Sequence, residues 1–277
     1  MQVISISSLK GGVGKTSVTL GLASAARTAG MSTLVIDLDP HADATTGLGM
    51  KQGLNTQDIG TLLRKPKKAD LNTNAEPAGW TESDAEPSSP ISGSRLDVVR
   101  GSSTTSIFER ISTRSRDVNR LAVALDRVRG YDLVLIDCPP ALNGVTRIAW
   151  AASTDVVLVA EPSLFSVAGT ERTLRALDQF RREFAPSIKS IRVLANRVRT
   201  ASTEHKYRLT EMERMYGDRL LPLSIPEISN WQQIQGAAWP IHLWPGETAA
   251  RTARQFDQLL QEITQQQESS RRSRRAQ

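Results

Sequence analysis

Ser8-Leu9-Lys10-Gly11-Gly12-Val13-Gly14-Lys15-Thr16 restricts the possible folds more tightly than any other stretch of the chain. Before it, Gln2-Val3-Ile4-Ser5-Ile6-Ser7 is short and rich in β-branched residues, which predicts a buried strand. After it, residues 17–27 are apolar at helical spacing. Strand, glycine loop and helix in this order form the setting of a phosphate-cradling P-loop. The backbone N–H groups of Gly11, Gly12, Val13 and Gly14 can turn toward phosphate oxygens, and the helix N-terminus, with Ser17 in its first turn, adds positive potential. In such a loop Lys15 reaches the terminal phosphates and the Thr16 hydroxyl meets Mg2+.

The ordinary P-loop carries glycine six residues before its lysine, where this chain has Leu9, followed by a second cation, Lys10. Lys-Gly-Gly-Val-Gly-Lys-Thr is the deviant Walker A sequence, and through it the chain resembles the ParA/MinD group of ATPases. The resemblance covers nearly all of 1–64 and 95–264. It implies that ATP and Mg2+ are the ligands, and that Lys10 crosses a two-fold interface to the other subunit's phosphates in an ATP-dependent homodimer.

A length of 277 residues leaves ample room for a core. The single cysteine, Cys138, excludes an internal disulfide framework. No apolar run is long enough to span a bilayer and the chain opens directly on a strand, so a cytoplasmic protein without membrane partners is expected. Formal net charge is +6, but Arg271, Arg272, Arg274 and Arg275 supply most of it, leaving the body only mildly basic.

Strands are predicted at 2–7, 32–40, 96–100, 131–137, 155–160, 191–195 and 219–223. Helices are predicted near 56–64, 104–112, 116–129, 166–185, 203–216 and 246–265. Their alternation implies an α/β fold of the P-loop NTPase type: a mainly parallel twisted sheet, helices on both faces, ligands at the carboxyl ends of the strands. Residues 1–264 read as a single domain. Within it, 65–94 is rich in Pro, Ser, Asn, Glu and Asp and predicts a surface excursion, mobile in part. Residues 265–277 predict a basic disordered tail.

Three carboxylates complete the predicted site. Asp137 closes the apolar strand Leu133-Val134-Leu135-Ile136, where a buried charge is costly unless it serves an ion, so it is expected to orient Mg2+. Asp37 and Asp39 end the neighbouring strand and share one face. By resemblance, Asp39, just before Pro40, positions the attacking water, and Asp37 and Asp39 support the metal region with Thr16 and Asp137. His41 stands where the family usually has glutamine; it reads either as a switch residue or as a solvent-facing histidine. Thr45 or Thr46 matches the threonine that closes this first switch. Asp137-Cys138-Pro139-Pro140 resembles the second, with Cys138 a packed thiol. Asn196 and Pro226 fall where relatives contact the base, although Asn196 also reads as an ordinary turn residue.

The resemblance implies a slow ATP hydrolase that coats DNA non-specifically and is reset by a ParB-like stimulatory partner, serving chromosome or plasmid partition. Arg197, Arg199, Lys206, Arg208, Arg251 and Arg254 are the candidate DNA contacts. Glu227 and Asn230 stand where the family carries arginines, which puts its usual DNA surface in question. The alternatives are a ParA-like paralogue positioning a protein complex and a MinD-like membrane ATPase. The polar segment Gln265-Gln266-Gln267-Glu268-Ser269-Ser270 lacks the apolar residues that the latter needs.

Overall fold

Strands that are apolar at successive positions need cover on both faces, and the computed structural model provides it. Residues 1–50, 56–81 and 94–275 are described, residue 81 and residues 265–275 as backbone only. The chain begins with β1 (Gln2–Ser7), α1 (Lys15–Thr28), β2 (Thr33–Asp37), α2 (Asp43–Gly47), α3 (Ile59–Arg64), α4 (Leu71–Asn74), β3 (Glu76–Pro77) and β4 (Leu96–Val99). Next come α5 (Ser115–Val118), α6 (Arg120–Leu125), β5 (Leu133–Asp137), α7 (Gly144–Ala152), β6 (Asp155–Ala160) and α8 (Leu164–Phe184). It closes with β7 (Ser190–Val198), α9 (Thr203–Tyr216), β8 (Leu220–Pro226), α10 (Trp231–Gly236) and α11 (Glu247–Arg275).

The described strands form one eight-stranded sheet in the order β3-β4-β2-β5-β1-β6-β7-β8, parallel except for β3. The expected α/β fold is the one observed. Because side chains alternate across a strand, each central strand feeds two layers. Leu133 and Leu135 of β5 join the cluster with Val18 and Leu22 of α1 and Phe256 of α11. Val134 and Ile136 join Leu62 of α3, Leu121 of α6 and Ile148 of α7 on the other face. Helices α1 and α11 approach so closely that a Cβ at Gly21 would lie 2.3 Å from the Phe256 ring. Among the described residues no helix is long and apolar enough to cross a membrane.

Several expectations are corrected. Residues 66–81 of the predicted excursion bury Ala69, Leu71, Ala78 and Trp80, and β3 extends the sheet edge. Trp80 is 2% exposed, and its Nε1 donates to Gly47 O at 3.0 Å, so this segment supports α2. Its apolar residues are too widely spaced to show a period, yet Ala69 and Leu71 join one core cluster and Ala78 and Trp80 the other. Residues 82–93 of the excursion lie outside the described residues. Helix α11 continues to Arg275 through the segment predicted to be a disordered tail, consistent with the helix propensity of Gln, Glu and Arg. Where helices are predicted at 104–112 and 116–129, the chain forms a 3₁₀ segment, Ser103–Phe108, and the two short helices α5 and α6.

Candidate functional site

The glycine loop leaves the carboxyl end of β1, near the centre of the sheet, where ligands bind in folds of this topology. Gly14 has φ +89°, a left-handed conformation that side chains disfavour. A Cβ there would also lie 2.4 Å from Asn196 Nδ2. Asn196, at 3% exposure, donates from that nitrogen to Val13 O at 2.7 Å, so β7 braces the loop from beneath. Lys15 is buried at the start of α1.

Asp137 ends β5 directly behind this helix start. Its Oδ2 accepts from Thr16 Oγ1 and its Oδ1 from Thr19 Oγ1, each at 2.8 Å. Burial raises the Asp137 carboxyl above the usual range, against the opposing hydrogen bonds from Thr19 and Thr16 and the charge of Lys15. Asp37, its neighbour across the sheet, is raised first by burial and then by the charge of Asp137. Hard oxygen donors in a dry site carrying excess negative charge fit Mg2+ held jointly with phosphate oxygens. Among the described residues no group of three or more carboxylate, His or Cys side chains is placed to hold a metal ion by itself.

Asp37 uses both oxygens within the protein. Its Oδ2 accepts from Thr45 N at 2.8 Å and Thr45 Oγ1 at 2.7 Å, and its Oδ1 accepts from Asp39 N at 3.1 Å. Thr45 Oγ1 also accepts from Gly101 N at 2.9 Å. Of the two switch threonines, Thr45 therefore anchors the segment to the sheet, whereas Thr46 lines the cleft. Asp39 is 7% exposed, and its Oδ1 accepts from His41 N and lies 3.0 Å from His41 Nδ1. His41 faces solvent while touching the carboxylate predicted to position water, and this hydrogen bond raises its pKa. Cys138 is fully buried, and burial pushes its thiol up to about 12, so it is a packed thiol.

Two clefts adjoin the loop. One, of about 590 Å³, is lined by Lys15, Thr16, Asp39, His41 and Thr46. The other, of about 600 Å³, is lined by Gly12, Gly14, Asn196, Ile225, Pro226 and Trp231. Both include Gly12, Gly14, Ser17 and Gln235, so they are two parts of one cleft around the glycine loop. The fold brings Asn196 and Pro226 together there. The sequence reading missed the outer wall, formed by Trp231, Gln232 and Gln235 of α10 with Thr252 and Phe256 of α11. Trp231 stacks on Phe256 with centroids 5.9 Å apart, and Gln235 Nε2 donates to Ser17 Oγ at 3.1 Å. The spacing of Trp231, Ile234 and Gln235 is the signal that could have marked this short helix.

Most of the arginines predicted to contact DNA are engaged inside the chain. Glu227 lies 2.7 Å from Arg197 and 3.3 Å from Arg199, and Arg197 Nη1 donates to Gly12 O at 2.8 Å. Arg208 pairs with Glu204 and Glu211, and Arg251 with Glu247. Lys10 Nζ lies 3.2 Å from Glu161 Oε2 and 3.4 Å from Ser163 Oγ.

A phosphate-cradling loop after a central parallel strand, with a strand-end aspartate behind it, defines a P-loop NTPase domain of the deviant type. An AAA-domain family model matches residues 1–190, and the chain belongs to that family. It is 26% identical over 257 residues to the chromosome partitioning protein ParA of Caulobacter vibrioides, covering 91% of each chain. Among solved structures, a putative plasmid partition protein of Borrelia burgdorferi bound to AMPPNP superposes with TM-score 0.73 at 20% identity, covering 96% of this chain and 99% of that one. Cobyrinic acid a,c-diamide synthase of Mycobacterium smegmatis, with bound ADP and magnesium, superposes with TM-score 0.72 at 19% identity and 95% coverage of each chain.

Proposed function

We propose that this chain is a ParA-like ATPase that binds ATP with Mg2+, dimerises on ATP, associates with DNA non-specifically and is reset when a ParB-like partner stimulates hydrolysis. The business served is chromosome or plasmid partition, in the cytoplasm and on the nucleoid. The observation that carries the reading is the deviant loop itself: Lys10 and Lys15 on one glycine turn, with Thr16 hydrogen-bonded to Asp137 behind it. Similarity to ParA over most of both chains supports the same reading.

In this account Lys15 and the loop N–H groups hold the phosphates, and Thr16 and Asp137 hold Mg2+, which neutralises charge on the transferring phosphoryl group. Asp39 orients the attacking water, Asp37 fixes the switch through Thr45, and Lys10 serves the partner's nucleotide. Asn196, Pro226 and the α10 wall hold the base.

A second reading, a ParA-like paralogue that positions a protein complex, is favoured by one observation: Glu227 occupies Arg197 and Arg199. ATPase rate and co-sedimentation with long duplex DNA, with ATP and with ADP over a salt series, separate the two. ATP-dependent binding that weakens steeply with salt supports partition. No binding at low salt favours the paralogue.

A further inference from the structure

Cations without a salt bridge gather far from the nucleotide loop. Helix α3 starts beside Arg100, at the carboxyl end of β4, where Ile59 N donates to Arg100 O at 2.9 Å, and runs back to the amino ends of the strands. There Arg64, Lys65, Lys67 and Lys68 are exposed at its end and on the 3₁₀ turn Pro66–Lys68. This turn packs on α6, beyond which Arg127 and Arg129 are also exposed. Asn72 Nδ2 donates to Arg129 O at 2.9 Å and Arg129 N to Asn72 Oδ1 at 3.2 Å, tying the two segments together. Arg120 Nη1 adds a third tie, to Leu63 O at 3.1 Å.

Six cations thus lie on two adjoining segments that carry the exposed carboxylates Asp70 and Asp126, and the charge of Arg127 acts on Asp70. Asp70 already accepts from Thr73 N at 3.0 Å and Thr73 Oγ1 at 2.8 Å. None of the six makes an ion pair among the described residues; the Arg129 guanidinium donates to the main-chain oxygens of Asp126 and Val128. By contrast, four of the arginines considered above for DNA are matched by glutamates.

We infer that the surface built by Arg64, Lys65, Lys67, Lys68, Arg127 and Arg129 binds the phosphate backbone of duplex DNA. The inference rests on the DNA-binding reading above and replaces the surface through which it acts. Unpaired cations repel one another, and docking on phosphates relieves this while releasing condensed counterions. An anionic membrane fits less well. Exposed large apolar side chains such as Ile107, Leu164, Phe165 and Tyr207 lie outside both segments, so nothing bulky is available to enter a lipid interface. A 3₁₀ turn does not fill a major groove, so contacts fall on the backbone and carry no sequence preference. The surface is complete in one protomer.

The test uses the full chain with ATP and Mg2+, long duplex DNA and a salt series. Lys65→Glu/Lys67→Glu/Lys68→Glu should weaken binding at least 10-fold while ATP affinity is unchanged. The milder Lys65→Gln/Lys67→Gln/Lys68→Gln should lower the slope of log affinity against log salt by about 2 to 3, at roughly 0.9 for each phosphate no longer neutralised. Wild-type binding that both variants retain in full overturns the inference and leaves the DNA reading standing. A wild-type chain that ignores DNA at low salt overturns the DNA reading itself. Capture by phosphatidylserine vesicles that the variants lose, with DNA binding intact, assigns the surface to membranes instead.

Discussion

Lys10 and Glu161 are paired within one chain, Nζ 3.2 Å from Oε2, with the lysine side chain 44% exposed. The cation that the proposed dimer needs in trans is thus held in cis, at the carboxyl end of β6. An exposed pair of this kind contributes ~1 kcal/mol at most, less than a charge-assisted contact with phosphate. The pair is therefore a weak hold that competes with dimerisation. Glu161→Gln should tighten the ATP-dependent dimer by about 2- to 5-fold in sedimentation equilibrium, and an unchanged or weaker dimer argues against competition.

Lys15 and Asp39, which line one cleft, should separate cleanly by titration calorimetry and steady-state hydrolysis. Lys15→Ala removes a buried cation from the phosphates and is expected to weaken ATP binding by about 10- to 100-fold. Asp39→Ala should leave affinity nearly unchanged and slow turnover by about 10²- to 10⁴-fold, the range for loss of a group acting on the nucleophile. Equal damage to both quantities in Asp39→Ala contradicts its assignment to water.

Gly14 meets two independent obstacles to substitution, a left-handed backbone and the Asn196 amide. Gly14→Ala should abolish measurable nucleotide binding. Asn196→Ala alone frees space but deprives Val13 O of its donor, at about 1 kcal/mol. The double variant should recover only part of the loss, because the φ penalty persists. Full recovery means that crowding alone makes glycine necessary.

Asp37 and Asp137 are both raised above the ordinary carboxylate range by burial, and the charge of Asp137 adds to the shift at Asp37. A carboxyl that titrates higher when folded binds more protons in the native state, so stability falls as pH climbs from roughly 4, the unfolded value. Without metal, thermal melting should move down between about pH 5 and neutrality. Mg2+ with a non-hydrolysable ATP analogue should flatten that slope by neutralising the ionised pair. Parallel slopes with and without Mg2+ place the ion elsewhere.

The loop and its carboxylates are legible in sequence because they are contiguous and sit at strand ends, where the period breaks on a charged residue. That Thr45 rather than Thr46 gives both its backbone N–H and its hydroxyl to Asp37 is visible only in the folded chain. The fate of Arg197 and Arg199 is hidden for the same reason. Glu227 is distant in sequence and meets them only because β8 pairs beside β7. Trp80 sits in a polar, proline-containing stretch whose composition points to solvent, yet one indole finding Gly47 O ties it to α2. The α10 wall is barely two turns long, so the spacing of Trp231, Ile234 and Gln235 is its whole signal, and the stacking partner Phe256 lies on a different helix.

The central claim is that nucleotide in the first loop joins two copies, with each Lys10 serving the other's phosphates. Sedimentation velocity of wild type and Lys10→Ala, each with ATP, with ADP and without nucleotide, tests it most directly when ATP binding is measured on the same samples. The account predicts a dimer only for wild type with ATP, and a Lys10→Ala chain that still binds ATP yet stays monomeric. A Lys10→Ala chain that dimerises on ATP as wild type does, or a wild type that remains monomeric when saturated, contradicts it.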